Sequence, residues 1–234
     1  MLNVKNLNTF YGRAHILFDV SLAVEPGEVV VLLGRNGAGK STTMKSIMGL
    51  TPVADGAVSF KSTPINRLPP FQIARLGLGY VPEDRRVFTG LTVRENLEVG
   101  RQTDLKGVEH PWDWSRLVTL FPNLGEMPNR LGSQMSGGEQ QMLSIARTLM
   151  GNPQCLLLDE PSEGVAPVIV DQMAQAVLKL KEQGVGILLS EQNLHFAQQV
   201  GDRAYIIEKG RIQFSGTMAE LNDNQAVREQ YLAL

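Results

Sequence analysis

Residues Gly34-Arg35-Asn36-Gly37-Ala38-Gly39-Lys40-Ser41 fill each fixed position of G-x-x-x-x-G-K-[ST]. The run Val29-Val30-Val31-Leu32-Leu33 precedes them, and Met44, Ile47 and Met48 follow at helical spacing. A strand that enters a glycine-rich bend and leaves as a helix makes a nest of backbone N–H groups for phosphate oxygens. Glycine lets the backbone close on those oxygens without a Cβ clash. Lys40 adds a positive charge for the β- and γ-phosphates, and the Ser41 hydroxyl is a ligand for Mg²⁺. The motif points to a nucleoside triphosphate but not to a reaction, since GTPases, kinases, helicases and transport ATPases share it.

Two further clusters narrow the chemistry. Leu156-Leu157-Leu158-Asp159-Glu160 is an apolar strand that ends in two carboxylates. Such a strand delivers its acids to the C-terminal edge of a parallel sheet, beside a phosphate loop. Asp159 suits Mg²⁺ and Glu160 suits orienting the attacking water. Ser136-Gly137-Gly138-Glu139 precedes a periodic helix (Met142, Ile145, Ala146, Leu149) and reads as a second anion nest, in which Ser136 also caps the helix. Two nests and one γ-phosphate leave two options. Either the nests meet within one fold, or each faces a nucleotide on another subunit.

These residues need a scaffold. Residues 2–10 and 16–24 alternate apolar and polar, as half-exposed strands do. Residues 29–33, 156–158, 186–189 and 204–207 are apolar runs that fit strands buried on both faces, and 78–81 is a short strand that ends at Pro82. Helical spacing recurs at 40–49 and 168–182, a strand is expected at 58–60, a last small strand pair between Gly210 and Gly216, and helical segments over 217–234. Residues 84–135 differ: rich in Arg, Pro, Asn and Gly, with both tryptophans, Trp112 and Trp114, they read as a helical insert with pieces near 92–101 and 115–121. The pattern predicts an α/β fold with a mainly parallel sheet.

Composition excludes several classes. A 234-residue chain that is 43% hydrophobic and 20% charged, with net charge -2, fits one α/β domain with a sub-domain and advertises no nucleic acid partner. The single cysteine, Cys155, forms no disulfide framework and reads as a small core residue. No apolar stretch approaches the length of a membrane span, and the N-terminus lacks a signal-peptide core, so a soluble cytoplasmic chain is expected.

Together Gly34–Ser41 (Walker A), Met135-Ser136-Gly137-Gly138-Glu139 (the signature) and Leu156–Glu160 (Walker B) resemble the ATP-binding subunits of ABC transporters, in that family's order and over essentially the whole chain. The resemblance implies a P-loop NTPase fold: a RecA-like core with an antiparallel N-terminal β subdomain (1–83 and 136–234) and an inserted α-helical subdomain (84–135). It implies ATP and Mg²⁺ as ligands and hydrolysis as the activity. It also implies a head-to-tail pair of ATP-binding subunits, homo- or heteromeric, with each ATP between Walker A of one and the signature of the other. Nucleotide contacts fall on Gly34, Asn36, Gly37, Ala38, Gly39, Lys40, Ser41 and Thr42, and on Ser136, Gly137, Gly138 and Glu139 of the facing copy. Tyr11, before Gly12, takes the place of the aromatic that stacks on adenine.

Two positions depart from the usual pattern. Glu83 stands after Tyr80-Val81-Pro82 where glutamine is usual, and joins Ser41 and Asp159 as a metal-site residue. Gln192 stands where a histidine usually senses the γ-phosphate, and joins Lys40 and Glu160 as catalytic; His195, three residues on, reads as an ordinary helix residue. Pro82-Glu83-Asp84-Arg85-Arg86, Ser162-Glu163-Gly164 and Glu191-Gln192-Asn193 together look like the branched-chain amino acid importer ATPases, with urea and short-chain amide importers as close cousins. Soluble ATPases of the iron–sulfur assembly type are the rival class. The importer reading implies transmembrane permease subunits, an indirect periplasmic or extracellular binding protein, and a peripheral position on the inner face of the cell membrane.

Overall fold

A computed structural model describes residues 1–102 and 110–232. Residues 103–109 of the expected insert and 233–234 of the closing helical segment lie outside the described residues.

The alternating N-terminal segments form β1 (Leu2–Tyr11) and β2 (Ala14–Val24), an antiparallel pair. β1 pairs on its other edge with β4 (Val53–Phe60), which carries the short β5 (Thr63–Pro64). One face is apolar: Leu2, Val4, Leu7, Val20, Leu22, Val58 and Phe60 are buried. Bulges shift the β1 register between Val4 and Phe10, which twists the ribbon.

The second sheet has six strands. β3 (Val29–Leu33), β7 (Cys155–Asp159) and β8 (Gly186–Glu191) are buried along their whole length, as expected of apolar runs covered on both faces. With β6 (Leu78–Val81), β9 (Arg203–Glu208) and β10 (Arg211–Thr217) they run in the order β10-β9-β3-β8-β7-β6. All neighbours are parallel except β10 on β9. The expected strand pair between Gly210 and Gly216 is corrected here. Gly210 (φ 75°) turns a hairpin whose first arm is β9, and Gly216 lies within β10. The run 204–207 and the segment after Gly210 each carry a strand pattern, but nothing local to either records that they pair with one another.

Helices cover the sheet. They include α1 (Lys40–Ile47), α2 (Pro70–Arg75), α6 (Gly137–Leu149), α7 (Pro167–Glu182), α8 (Leu194–Val200) and the closing pair α9 (Met218–Asp223) and α10 (Gln225–Leu232). Between β6 and α6 lie α3 (Val93–Val99), α4 (Trp114–Leu120) and α5 (Pro122–Gly125). Trp112, Leu117, Phe121 and Leu124 join the same apolar cluster as Met142 and Leu149 of α6, so this helical segment is anchored on the helix that starts at Ser136. Both tryptophans pack, each beneath a guanidinium: Arg116 over Trp112 and Arg94 over Trp114. Among the described residues no helix is long and apolar enough to cross a membrane.

Candidate active site

β3, β7 and β8 end side by side because parallel pairing sets Asp159 opposite Ser190 and Leu33 opposite Glu191. The three strand ends deliver Gly34, Asp159-Glu160 and Glu191-Gln192 to one edge of the sheet. α1 begins at Lys40 after Gly39, whose φ of 116° is a conformation that side chains resist. A Cβ there would also meet the Leu17 side chain at 2.8 Å. The backbone N–H groups of Gly37, Gly39, Lys40, Ser41 and Thr42 find no acceptor among the described residues. Free donors at a helix start are what an anion nest presents.

Lys40 is folded back into this nest. Its Nζ donates to the carbonyls of Gly34 (2.6 Å) and Arg35 (3.1 Å) and pairs with Glu160 Oε1 at 3.0 Å. Lys40 and Glu160 are only 3% and 6% exposed. Glu160 has φ 46°, a costly backbone for a non-glycine residue, and its N–H is held by the carbonyl (3.1 Å) and the hydroxyl (3.0 Å) of Ser190. Burial pushes its carboxyl up, but hydrogen bonds from Gln192 and Lys40 outweigh this and hold it below the ordinary range. Gln192 Nε2 bridges Glu160 Oε2 (2.9 Å) and Asn36 Oδ1 (2.6 Å). Both catalytic candidates therefore contact Glu160, whereas His195 is exposed on α8 against Gln199.

Asp159 accepts from Ser41 Oγ (3.0 Å), Ser190 Oγ (2.7 Å) and the Tyr80 hydroxyl (3.0 Å). Burial, then the Asp159 charge, pushes the Tyr80 hydroxyl well above its ordinary value, so it stays a donor. Glu83 is exposed and shares with Asp159, Tyr80 and Lys45 a cavity of about 190 Å³. The donors of the metal candidates Ser41, Asp159 and Glu83 are all oxygens, the set Mg²⁺ prefers, with phosphate oxygens and water left to complete it. Glu163, in the loop after β7, is held above the usual carboxylate range by its hydrogen bond with Glu160, then by burial and the charges of Glu160 and Glu83.

The other nest lies apart, and no hydrogen bond among the described residues joins it to the first. Ser136 Oγ accepts from Glu139 N (3.4 Å), and the Glu139 carboxylate accepts from Ser136 N (2.7 Å), a reciprocal cap. Glu139 also meets Arg130 at 3.3 Å. The N–H groups of Gly137 and Gly138 find no acceptor among the described residues. Tyr11 ends β1 with 48% of its surface exposed and only its hydroxyl engaged, at 3.2 Å from Thr51 Oγ1. It is an open ring and not a buried strand aromatic.

Three residues of the site were missed by sequence reasoning. Ser190 and Tyr80 hold Asp159. Glu191, buried, accepts from the N–H groups of Ser162 (3.2 Å), Gln192 (3.1 Å) and Asn193 (3.1 Å), and so ties two loops to the end of β8. Burial pushes the Glu191 carboxyl up, against those three donors. The available signal was the form of β8: Leu188-Leu189-Ser190-Glu191 ends in polar residues as Leu157-Leu158-Asp159-Glu160 does.

The match to known proteins is extensive. The family described as ABC transporter matches residues 17–163. The chain is 43% identical over 233 residues to the high-affinity branched-chain amino acid transport ATP-binding protein BraG of Pseudomonas aeruginosa, covering 99% of each. It is 35% identical to the lipopolysaccharide export system ATP-binding protein LptB of Escherichia coli K12, covering 99% of this chain and 96% of that one. A solved ATP-binding subunit of an ABC transporter superposes with a TM-score of 0.83 at 30% identity, over 100% of this chain and 96% of the other. The chain thus belongs to the ABC transporter family, as an ATP-hydrolysing, ATP-binding subunit.

Proposed function

We propose that the chain powers an importer of branched-chain amino acids by binding and hydrolysing ATP between two head-to-tail subunits. The substrate rests on one observation, the 43% identity to BraG over 99% of both chains, against 35% to LptB. The chemistry rests on Lys40, Glu160 and Gln192 meeting at the phosphate nest.

Incoming triphosphate competes with Glu160 for Lys40. Once Lys40 turns to the β- and γ-phosphates, Glu160 keeps Gln192 as partner and is free to orient water and accept its proton. Ser41 and Asp159, with Glu83 at the rim, hold Mg²⁺, which neutralises charge on the phosphates when bound. Tyr11 stacks on adenine. Ser136, Gly137 and Gly138 of the facing copy close over the γ-phosphate, so ATP favours the closed pair by binding it better than the open one. Permease subunits dock on residues 84–135 and the adjoining apolar cleft of about 500 Å³, where Leu50, Phe71, Phe88 and Val99 are exposed. That places the chain on the inner face of the membrane.

Uptake of radiolabelled leucine into vesicles that carry this chain together with branched-chain amino acid permease subunits and their binding protein, with ATP inside, tests the assignment. ATP-dependent uptake competed by isoleucine and valine is expected. Uptake of urea, or export of lipopolysaccharide without leucine uptake, would replace the substrate and leave the ATPase reading intact.

A further inference from the structure

We propose that Arg85 is a positioning residue that ties the loop carrying Glu83 to the nest at Ser136–Gly138, and thereby links the two nucleotide-facing surfaces of one subunit. The inference rests on the head-to-tail reading above.

The loop after β6 sets two arginines beside one acid. Arg86 takes the acid: its Nε donates to both Asp84 oxygens, at 3.0 and 2.8 Å. Arg85 forms no ion pair among the described residues and turns the other way. Its guanidinium lies against the first residue of α6. A Cβ built on Gly137 would stand 2.6 Å from Arg85 Nη1 and 3.2 Å from Cζ. Nη2 donates to the Glu163 carbonyl at 3.4 Å and passes 3.8 Å from the place of a Gly164 Cβ. A single planar group from one loop thus braces two others.

Three features argue that this contact is more than packing. Arg85 (φ 59°) and Arg86 (φ 48°) are successive non-glycine residues in the left-handed region, a strain that persists only where neighbours hold it. Gly137 has no left-handed φ, so space rather than backbone conformation requires glycine there, and Arg85 fills that space. A cation beside a helix N-terminus is opposed by the helix dipole, so helix stability alone does not favour it. Glu83, two residues upstream, shares a cavity with Asp159 of the subunit's own phosphate nest, whereas on the head-to-tail reading Gly137 faces the partner's nucleotide. Movement of the Glu83 loop as one site fills is carried by Arg85 to the surface that completes the other, a coupling between sites.

The test compares Arg85→Ala, Arg85→Lys, Gly137→Ala and the Arg85→Ala/Gly137→Ala double variant in the full chain. It reads affinity for a fluorescent ATP analogue, kcat, the Hill coefficient for ATP and the thermal midpoint. Arg85→Ala is expected to bind the analogue within about twofold of wild type, lose about tenfold in kcat and lose cooperativity. Arg85→Lys recovers a large part of kcat. Gly137→Ala loses at least as much as Arg85→Ala, because its methyl displaces the guanidinium from the nest, and adding Arg85→Ala to it costs nothing further. Wild-type kcat and cooperativity in Arg85→Ala, or additive losses in the double variant, overturn the inference. A wild-type chain that stays solitary and non-cooperative with ATP overturns the head-to-tail reading and this inference together. A cooperative wild type matched by a cooperative Arg85→Ala overturns the Arg85 role alone.

Discussion

The nest at Lys40 and the nest at Ser136 are both helix starts with free N–H groups, yet they are built differently. The first sits where three buried strands end, and a buried lysine, a strained glutamate and the Asp159 cluster surround it. The second offers backbone, a hydroxyl and a reciprocal cap, with the Arg85 guanidinium beside it, on a helix packed between the central sheet and the segment after β6. A site with its own counter-charges holds a triphosphate alone. A site with dipoles, one hydroxyl and one flanking guanidinium adds to a phosphate already held. Under the proposed function the contrast is a division of labour: affinity and chemistry on one face, closure on the other.

The largest expected effect falls on the chemical face. In the proposed mechanism Glu160→Gln removes the group that accepts the proton of water, and losses of general-base catalysis run to about 10²–10⁴-fold in kcat. The neutral amide competes less well than the carboxylate for Lys40, so ATP affinity is expected to hold or rise. A turnover within about tenfold of wild type would break the contrast, because the face assigned to chemistry would then lack it. The acid side adds a check. Glu160 is held below its ordinary value of 4.5 when folded, so its charge contributes stability that is present above that pH and lost as pH falls through the folded value. The thermal midpoint of wild type should therefore drop more steeply below pH 4.5 than that of Glu160→Gln.

A smaller effect falls on the closing face. Ser136→Ala deletes the acceptor for Glu139 N, a bond already long at 3.4 Å on an exposed turn, so about 1 kcal/mol or less of stability is at stake. On the head-to-tail reading, the contact with the facing copy's γ-phosphate goes with it. The expected result is roughly tenfold lower kcat with unchanged affinity of the isolated chain for a fluorescent ATP analogue. An affinity loss as large as the rate loss would merge the two nests into one intramolecular site.

How much of this was legible in the sequence follows the same contrast. Lys40, Ser41, Asp159 and Glu160 sit at fixed spacing from apolar runs, so strand, loop and acid could be read locally. The nest at Ser136 was legible because capping is local. The roles of Ser190, Tyr80 and Arg85 depend on strand register and on a loop crossing to another element, contacts between residues 31 to 79 positions apart or, for Arg85 and Glu163, 78. No periodicity records such pairs. α2 escapes because six residues opening at Pro70 give too little of a helical period to detect, and the pairing of β10 with β9 escapes because neither strand's pattern names its partner.

The smallest effect separates adenine from phosphate on the first face. Tyr11 ends β1 half-exposed, and its hydroxyl contact with Thr51 is 3.2 Å long. Tyr11→Phe removes only that contact and should leave the KM for ATP unchanged. Tyr11→Ala removes the ring, and aromatic stacking of about 0.5–1.5 kcal/mol corresponds to a rise in KM of roughly two- to tenfold. Because the ring belongs to the binding face, kcat at saturating ATP should hold in both variants. A fall in kcat with an unchanged KM would move Tyr11 from holding the nucleotide to closing the pair, and the line drawn between the two faces would have to be redrawn around β1.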